Sequence, residues 1–114
     1  MNYNLSVEFI ESKIFTKKIE SLFGLEVYKR VQQEIADNLK LGSEIKKKTY
    51  KRRFSAKGHG KRGGCRIIYW HSNDEKFVHM IFVFAKNEQD DLTLDQDKFL
   101  GTIINKFEEI YDGR

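Results

Sequence analysis

Ten Lys or Arg and no acid stand in the 21 residues from Lys46 to Arg66, while residues 1–45 sum to −1 and residues 67–114 to −5. A protein surface normally intersperses both signs, because unrelieved repulsion destabilises the compact state. Such a block calls for a polyanion, and nucleic acid is the usual one. The same residue types could also cut RNA. When a 2′-hydroxyl attacks its own phosphate without a metal, the reaction needs a base, cations around the doubly charged phosphorane, and an acid for the leaving oxygen. Arg stays charged and grips phosphate through two parallel bonds, so it clamps and does not shuttle protons. Repulsion among clustered ammonium groups favours a neutral amine, which suits a base. His59, inside the block, belongs to the one residue type whose unperturbed pKa lies near ~6.5. It reads as an acid–base group or as a plain phosphate contact.

Strand alternation decides which of these charges can meet. Lys51, Arg53, Ser55 and Lys57 fall on one face of a strand, and Tyr50, Arg52, Phe54 and Ala56 on the other. On the next strand Arg66, Ile68 and Trp70 share a face, and Lys86 stands at the exit of the one after. Three adjacent strands thus gather Lys51, Arg53, Arg66 and Lys86 over one patch, with Lys57, Lys61 and Arg62 above it on a loop. Lys48 and Tyr69 join the expected RNA contacts. A row of Lys also protects an exposed edge strand from aggregation, but ten charges exceed that need.

The elements that must position these groups follow from periodicity. Leu5 to Phe9 alternates like a half-buried strand. Ser12 caps a helix with Phe15, Ile19 and Leu22 on its apolar face, ending at Gly24. Tyr28, Val31, Ile35 and Leu39 mark a second helix that stops before Gly42. Glu44 to Ala56 reads as one long polar strand, Gly58 to Gly64 as a loop, and Cys65 to His71 as a strand. Phe77 to Ala85 is almost wholly apolar, as in a central strand. Thr93 and Gln96 form a capping box for a last helix near a sheet edge, carrying Leu100, Ile103, Phe107 and Ile110. The expected fold is α+β, in the order β-α-α-β-β-β-α, with one small, mainly antiparallel sheet packed on a helical hairpin. Without Pro, repeats or a low-complexity linker, residues 1–114 read as a single domain.

Other chemistries find little support. Gly58-His59-Gly60-Lys61-Arg62-Gly63 has the letters of a dinucleotide fingerprint, but it joins two strands where that motif opens a helix. Asp90, Asp91, Asp95 and Asp97 lack the Gly and closing Glu of a calcium loop and suit a helix start. No Cys/His set has zinc spacing, so neither metal nor cofactor is expected. Cys65, His71 and His79 read as core or turn residues. No apolar run reaches the ~20 residues of a membrane span. Glu8 and Glu11 interrupt any secretory pattern, and a single Cys suits a reducing cytosol, so a cytoplasmic protein is expected.

Gly60-Lys61-Arg62-Gly63-Gly64-Cys65-Arg66-Ile67-Ile68-Tyr69 and Phe84-Ala85-Lys86-Asn87-Glu88-Gln89-Asp90-Asp91-Leu92-Thr93 together resemble the HigB branch of the RelE toxin superfamily. Val7 to Ser12 resembles the opening strand of that family, and the similarity spans about residues 5–107. The resemblance implies a toxin of a toxin–antitoxin system that cuts message in the ribosomal decoding site without metal. It implies contacts with mRNA on the ribosome and with ribosomal RNA, and neutralisation by a cognate, HigA-like antitoxin. Lys57, Lys61, Arg62, Arg66, Lys86 and Asn87 match family positions, and Lys51 and Arg53 match the basic alternation before the loop. Two departures stand out. Lys48-Thr49-Tyr50 replaces a Gly-Gly-Leu-Arg segment, and Phe84 occupies a position where members often carry an aromatic hydroxyl. Tyr69 or Tyr50 would then have to supply that hydroxyl. The rival reading is a non-catalytic RNA- or ribosome-binding module on the same fold.

Overall fold

The computed structural model describes residues 7–55, 64–85 and 87–113. Strand β1 (Glu8–Glu11) leads into helices α1 (Lys13–Leu22) and α2 (Leu25–Asp37). Strands β2 (Ser43–Lys46), β3 (Thr49–Ser55), β4 (Gly64–His71) and β5 (Phe77–Ala85) follow, and helix α3 (Leu94–Asp112) closes the chain. The sheet order is β1-β5-β4-β3-β2; β1 runs parallel to β5 and every other pair is antiparallel. No helix among the described residues is long and apolar enough to cross a membrane.

The helical hairpin covers one face of the sheet, burying Phe15, Ile19, Val31 and Ile35 against Tyr69 and Met80. Ser12 caps α1 as expected, its hydroxyl oxygen accepting from Phe15 N–H at 3.0 Å. Gly24 does not end α1 in a left-handed turn. Its backbone is extended and it opens α2. Thr93 and Gln96 form the expected capping box of α3. That helix, however, lies across the second face of the sheet and not at an edge: Leu100, Ile104 and Phe107 bury Ile68, Trp70 and Ile81. The domain therefore has three layers, with a core on each side of the sheet.

Two local departures from the expected strands matter. The long polar strand is a hairpin, β2–β3, turning through Lys47 and Lys48, with Lys48 at φ +53°. A β-bulge interrupts the β4–β5 pairing, where Ile68 faces Phe82 and Tyr69 faces Met80. The extra residue, Ile81, joins the α3-side core together with its neighbour Phe82. Two consecutive residues thus share a face, and the alternation of β5 is reset beyond them. Gly42 is also set by position. It has φ +110°, and a Cβ there would stand 2.8 Å from the Lys51 carbonyl oxygen.

Candidate nucleic-acid interface

The strand registers bring three of the expected cations together. Lys51 pairs with Ile68, which pairs with Phe82; Arg53 pairs with Arg66, which pairs with Phe84. These two cross-strand rows lie on the α3 side of the sheet, toward its open end. Arg53 is exposed, while the Lys51 and Arg66 side chains are 26% and 14% exposed. Lys51, Arg53 and Arg66, with Gly42 and Ser43 of the β2 approach, line a depression of about 260 Å³. Asn87 is exposed in the turn after β5, which is pinned by Glu88: its carboxylate accepts from Ala85 N–H at 3.0 Å and from Lys18 at 2.6 Å. Lys57, His59, Lys61, Arg62 and Lys86 lie outside the described residues.

Carboxylates of the same chain now occupy two of the cations. Lys51 Nζ donates to Asp91 Oδ1 at 2.9 Å, and Arg66 Nη2 lies 3.1 Å from Asp90 Oδ1. The hydrogen bond from Lys51, and then its charge, hold the Asp91 carboxyl below its usual range. Both acids are more than four-fifths exposed, so water competes for them and a phosphate could displace them. In the sequence, Asp90 and Asp91 read as part of a helix start and of the Phe84–Thr93 segment that carries the family resemblance. The −5 balance of residues 67–114 was the available signal that they face the basic block.

Several expected contacts turn out to be structural. Tyr69 is fully buried on the helical-hairpin face, its hydroxyl donating to the Leu39 carbonyl at 2.8 Å, so it has no surface to offer RNA. Tyr50 stacks beside it at 6.0 Å on the same face. Neither hydroxyl reaches the cation rows, and Phe84 carries none. Lys48 is drawn to the other end of the sheet. Its ammonium donates to Asn73 at 2.7 Å and pairs with Glu108 at 2.9 Å and with Asp112, over the Trp70 ring. Arg52 points to the opposite face and donates to the Glu34 and Asn38 carbonyls at the end of α2. His71 is buried against Tyr50, with Nδ1 2.8 Å from the Ser72 carbonyl. His79 stacks on Phe107 at 3.9 Å, and burial lowers its pKa to about 4. Cys65 is buried in the core, and burial pushes its thiol up to about 12.

Fold and site together define a small α+β domain with a cation-lined sheet face suited to a polyanion. A family model described as the RelE toxin of the RelE/RelB toxin–antitoxin system matches residues 16–112, and the chain belongs to that family. Among solved structures, a chain of the intact E. coli RelBE toxin–antitoxin complex is similar at a TM-score of 0.50. The two are 16% identical, and the match covers 73% of this chain and 99% of that one. At such identity the likeness is one of fold.

Proposed function

We propose that this RelE-family chain is a cytoplasmic, ribosome-dependent endoribonuclease that cuts mRNA without a metal and so inhibits translation. The convergence of Lys51, Arg53 and Arg66 on one sheet face, across the register of β3 and β4, carries the reading. These cations hold the scissile phosphate and neutralise the charge that builds on it. The 2′-oxygen loses its proton to a base and bonds to phosphorus; the bond to the 5′-oxygen breaks, and that oxygen takes up a proton. Lys57, His59 and Lys86 are the side chains proposed for these transfers. Lys61, Arg62 and Asn87 grip flanking RNA, and ribosomal RNA meets the rest of the basic surface.

The proposed partner in the resting cell is an antitoxin protein, the solved relative being part of a toxin–antitoxin complex. Carboxylates of such a partner would fill the places that Asp90 and Asp91 take now. One observation favours a second reading. The face that holds the cations has Phe84 where a hydroxyl would serve as acid, and both nearby tyrosines face the other core. A module that binds RNA or ribosome without cutting it would fit that composition.

Induced expression with 5′-end mapping of transcripts separates the two. The enzyme leaves cuts inside translated codons, absent in Arg66→Ala and when translation is blocked. The upstream fragments end in a 2′,3′-cyclic phosphate, and a 2′-deoxy substitution at the cut site prevents cleavage. Growth arrest with intact messages would replace the enzyme by the binding module.

A further inference from the structure

The cation rows end on β5 in two phenylalanines. Phe84 lies directly across from Arg66, and Phe82 across from Ile68, whose other neighbour is Lys51. Their rings stack with centroids 5.8 Å apart and planes at 17°. Phe99 of α3 meets Phe82 edge to face at 6.1 Å and is 51% exposed. Phe82 is partly exposed, and Phe84 is buried at the foot of the row. Pairing with β1 reaches only as far as Met80, so this stretch of β5 has no β1 neighbour on its outer side. The bulge at Ile81 is what sets both rings on the same face as Arg66 and Lys51. Were Met80 to Phe84 paired without a bulge, the alternation set by Val78 and Met80 in the hairpin-side core would carry Phe82 and Phe84 there too.

We propose that Phe99 and Phe82 form a stacking ledge for a base of single-stranded RNA, next to the phosphate held by Arg66 and Lys51. The inference rests on the nucleic-acid reading of the cation face and adds the position of a base to it. Single-stranded RNA is bound where a cationic track for the backbone runs beside open aromatic faces, because every base has a π-face to stack. Arg66 and Phe84 are directly opposed, with Cβ atoms on the order of 5 Å apart, and each further ring lies about 6 Å on. Those steps sum to at most about 17 Å, so a base close along the strand to the held phosphate falls on the ledge. The aromatic cluster at the other end of α3, Trp70 with Phe107 and Tyr111, is core, and Trp70 is fully buried. Phe99 is the aromatic of α3 that α3 itself leaves open toward the cations.

The test uses the full chain and short 2′-O-methyl oligonucleotides, which resist cleavage, with 2-aminopurine at successive positions. Wild type binds at low salt and quenches 2-aminopurine at one or two adjacent positions. Phe99→Ala lowers affinity about fivefold or more, as expected for one lost base stack, and abolishes that quenching. The salt slope of binding stays the same, because no phosphate contact is removed. Phe99→Trp retains binding. Phe99→Leu, which keeps an apolar contact to Phe82, behaves like Phe99→Ala and serves if the alanine variant loses its fold by circular dichroism. Unchanged affinity and quenching in both Phe99→Ala and Phe99→Leu overturns the ledge and leaves the cation face standing. Absence of salt-dependent binding by wild type, or binding that Arg66→Ala leaves intact, overturns both. Sedimentation showing a dimer that Phe99→Ala dissolves, with RNA affinity unaltered, would give the rings to a second copy and overturn the ledge as well.

Discussion

Replacing Lys48 should cost stability and spare RNA binding, the reverse of what replacing Lys51 does. The Lys48 side chain is 13% exposed, and its two carboxylate partners, Glu108 and Asp112, are 7% and 3% exposed. Removing one partner of a buried ion pair costs about 3–5 kcal/mol, because the other charge stays buried and unpaired. Glu108 would still accept from Trp70 Nε1 at 3.2 Å and lie 3.5 Å from Lys47, and Asp112 would keep the Asn73 N–H at 3.1 Å. Those residual donors place Lys48→Ala near the lower end, about 3 kcal/mol, or roughly 10–15 °C in melting temperature for a domain of this size. Backbone strain offers an internal control. At φ +53° a side chain other than Gly costs on the order of 1 kcal/mol, so Lys48→Gly should melt a few degrees above Lys48→Ala. The assay is thermal unfolding by circular dichroism, paired with oligonucleotide affinity below the transition. A Lys48→Ala melt within about 2 °C of wild type would refute the cage as a structural element. Loss of RNA affinity with the fold intact would return Lys48 to the binding surface.

Each of Lys51→Ala and Arg66→Ala should lower the slope of log affinity against log salt by about 0.7, the value for one phosphate on a single strand, while Lys46→Ala leaves it unchanged. Asp90→Asn with Asp91→Asn removes the carboxylates now held by Arg66 and Lys51. RNA affinity should rise at about 50 mM salt, and the gain should fade as screening shortens toward ~3 Å at 1 M. Burial works against the charged forms of Glu108 and Asp112, but hydrogen bonds and charge from Lys48 outweigh it and hold both carboxyls below their usual values of 4.5 and 3.8. Burial likewise opposes the Lys48 charge, yet the same bonds hold it above 10.5. Stability from this cage is therefore full between those limits. It is lost as pH falls through the depressed carboxyl values, and again as pH rises through the raised Lys48 value. The gap between wild type and Lys48→Ala, followed by urea unfolding across pH, should close toward acid; a constant gap would contradict the ion-pair origin.

Periodicity carried most of the elements, because long amphipathic segments such as α2 and α3 have one dominant pattern. It failed where neighbouring segments share a composition. Nothing in Lys46-Lys47-Lys48 marks a turn, since Gly or Asn would ordinarily stand at the left-handed position that Lys48 takes, and the polar alternation runs on through it. The bulge at Ile81 is equally hidden, because Phe77 to Ala85 is apolar on both sides of it. Tyr69 shows a different kind of error. Alternation already set it on the face opposite Arg66, and only its hydroxyl, wanted as a substitute for the one missing at Phe84, argued for the surface. The placement of Lys51, Arg53 and Arg66 was readable from alternation alone, because β3 and β4 pair without a register break. The Phe82–Phe99 contact was not, since it depends on where α3 crosses the sheet.

The basic block divides once the sheet forms. Lys46, Lys47 and Lys48 pair with Asp97, Glu108 and Asp112 along one side of α3. Arg52 caps the carbonyl end of α2, where positive charge is favourable. Four of the ten cations thus serve the fold, which explains how so dense a block coexists with a compact state. Lys51, Arg53 and Arg66 remain on the open face, and Lys57, Lys61 and Arg62 belong to the segment between β3 and β4. If all ten met phosphate, the salt slope on a single strand would approach about −7; with six it reaches about −4. A slope near −4 would mean that the acidic side of α3 keeps its lysines when RNA binds. A slope steeper than about −6 would mean that RNA competes them away, so that binding loosens α3 from the hairpin, and Lys48→Ala would then weaken binding after all.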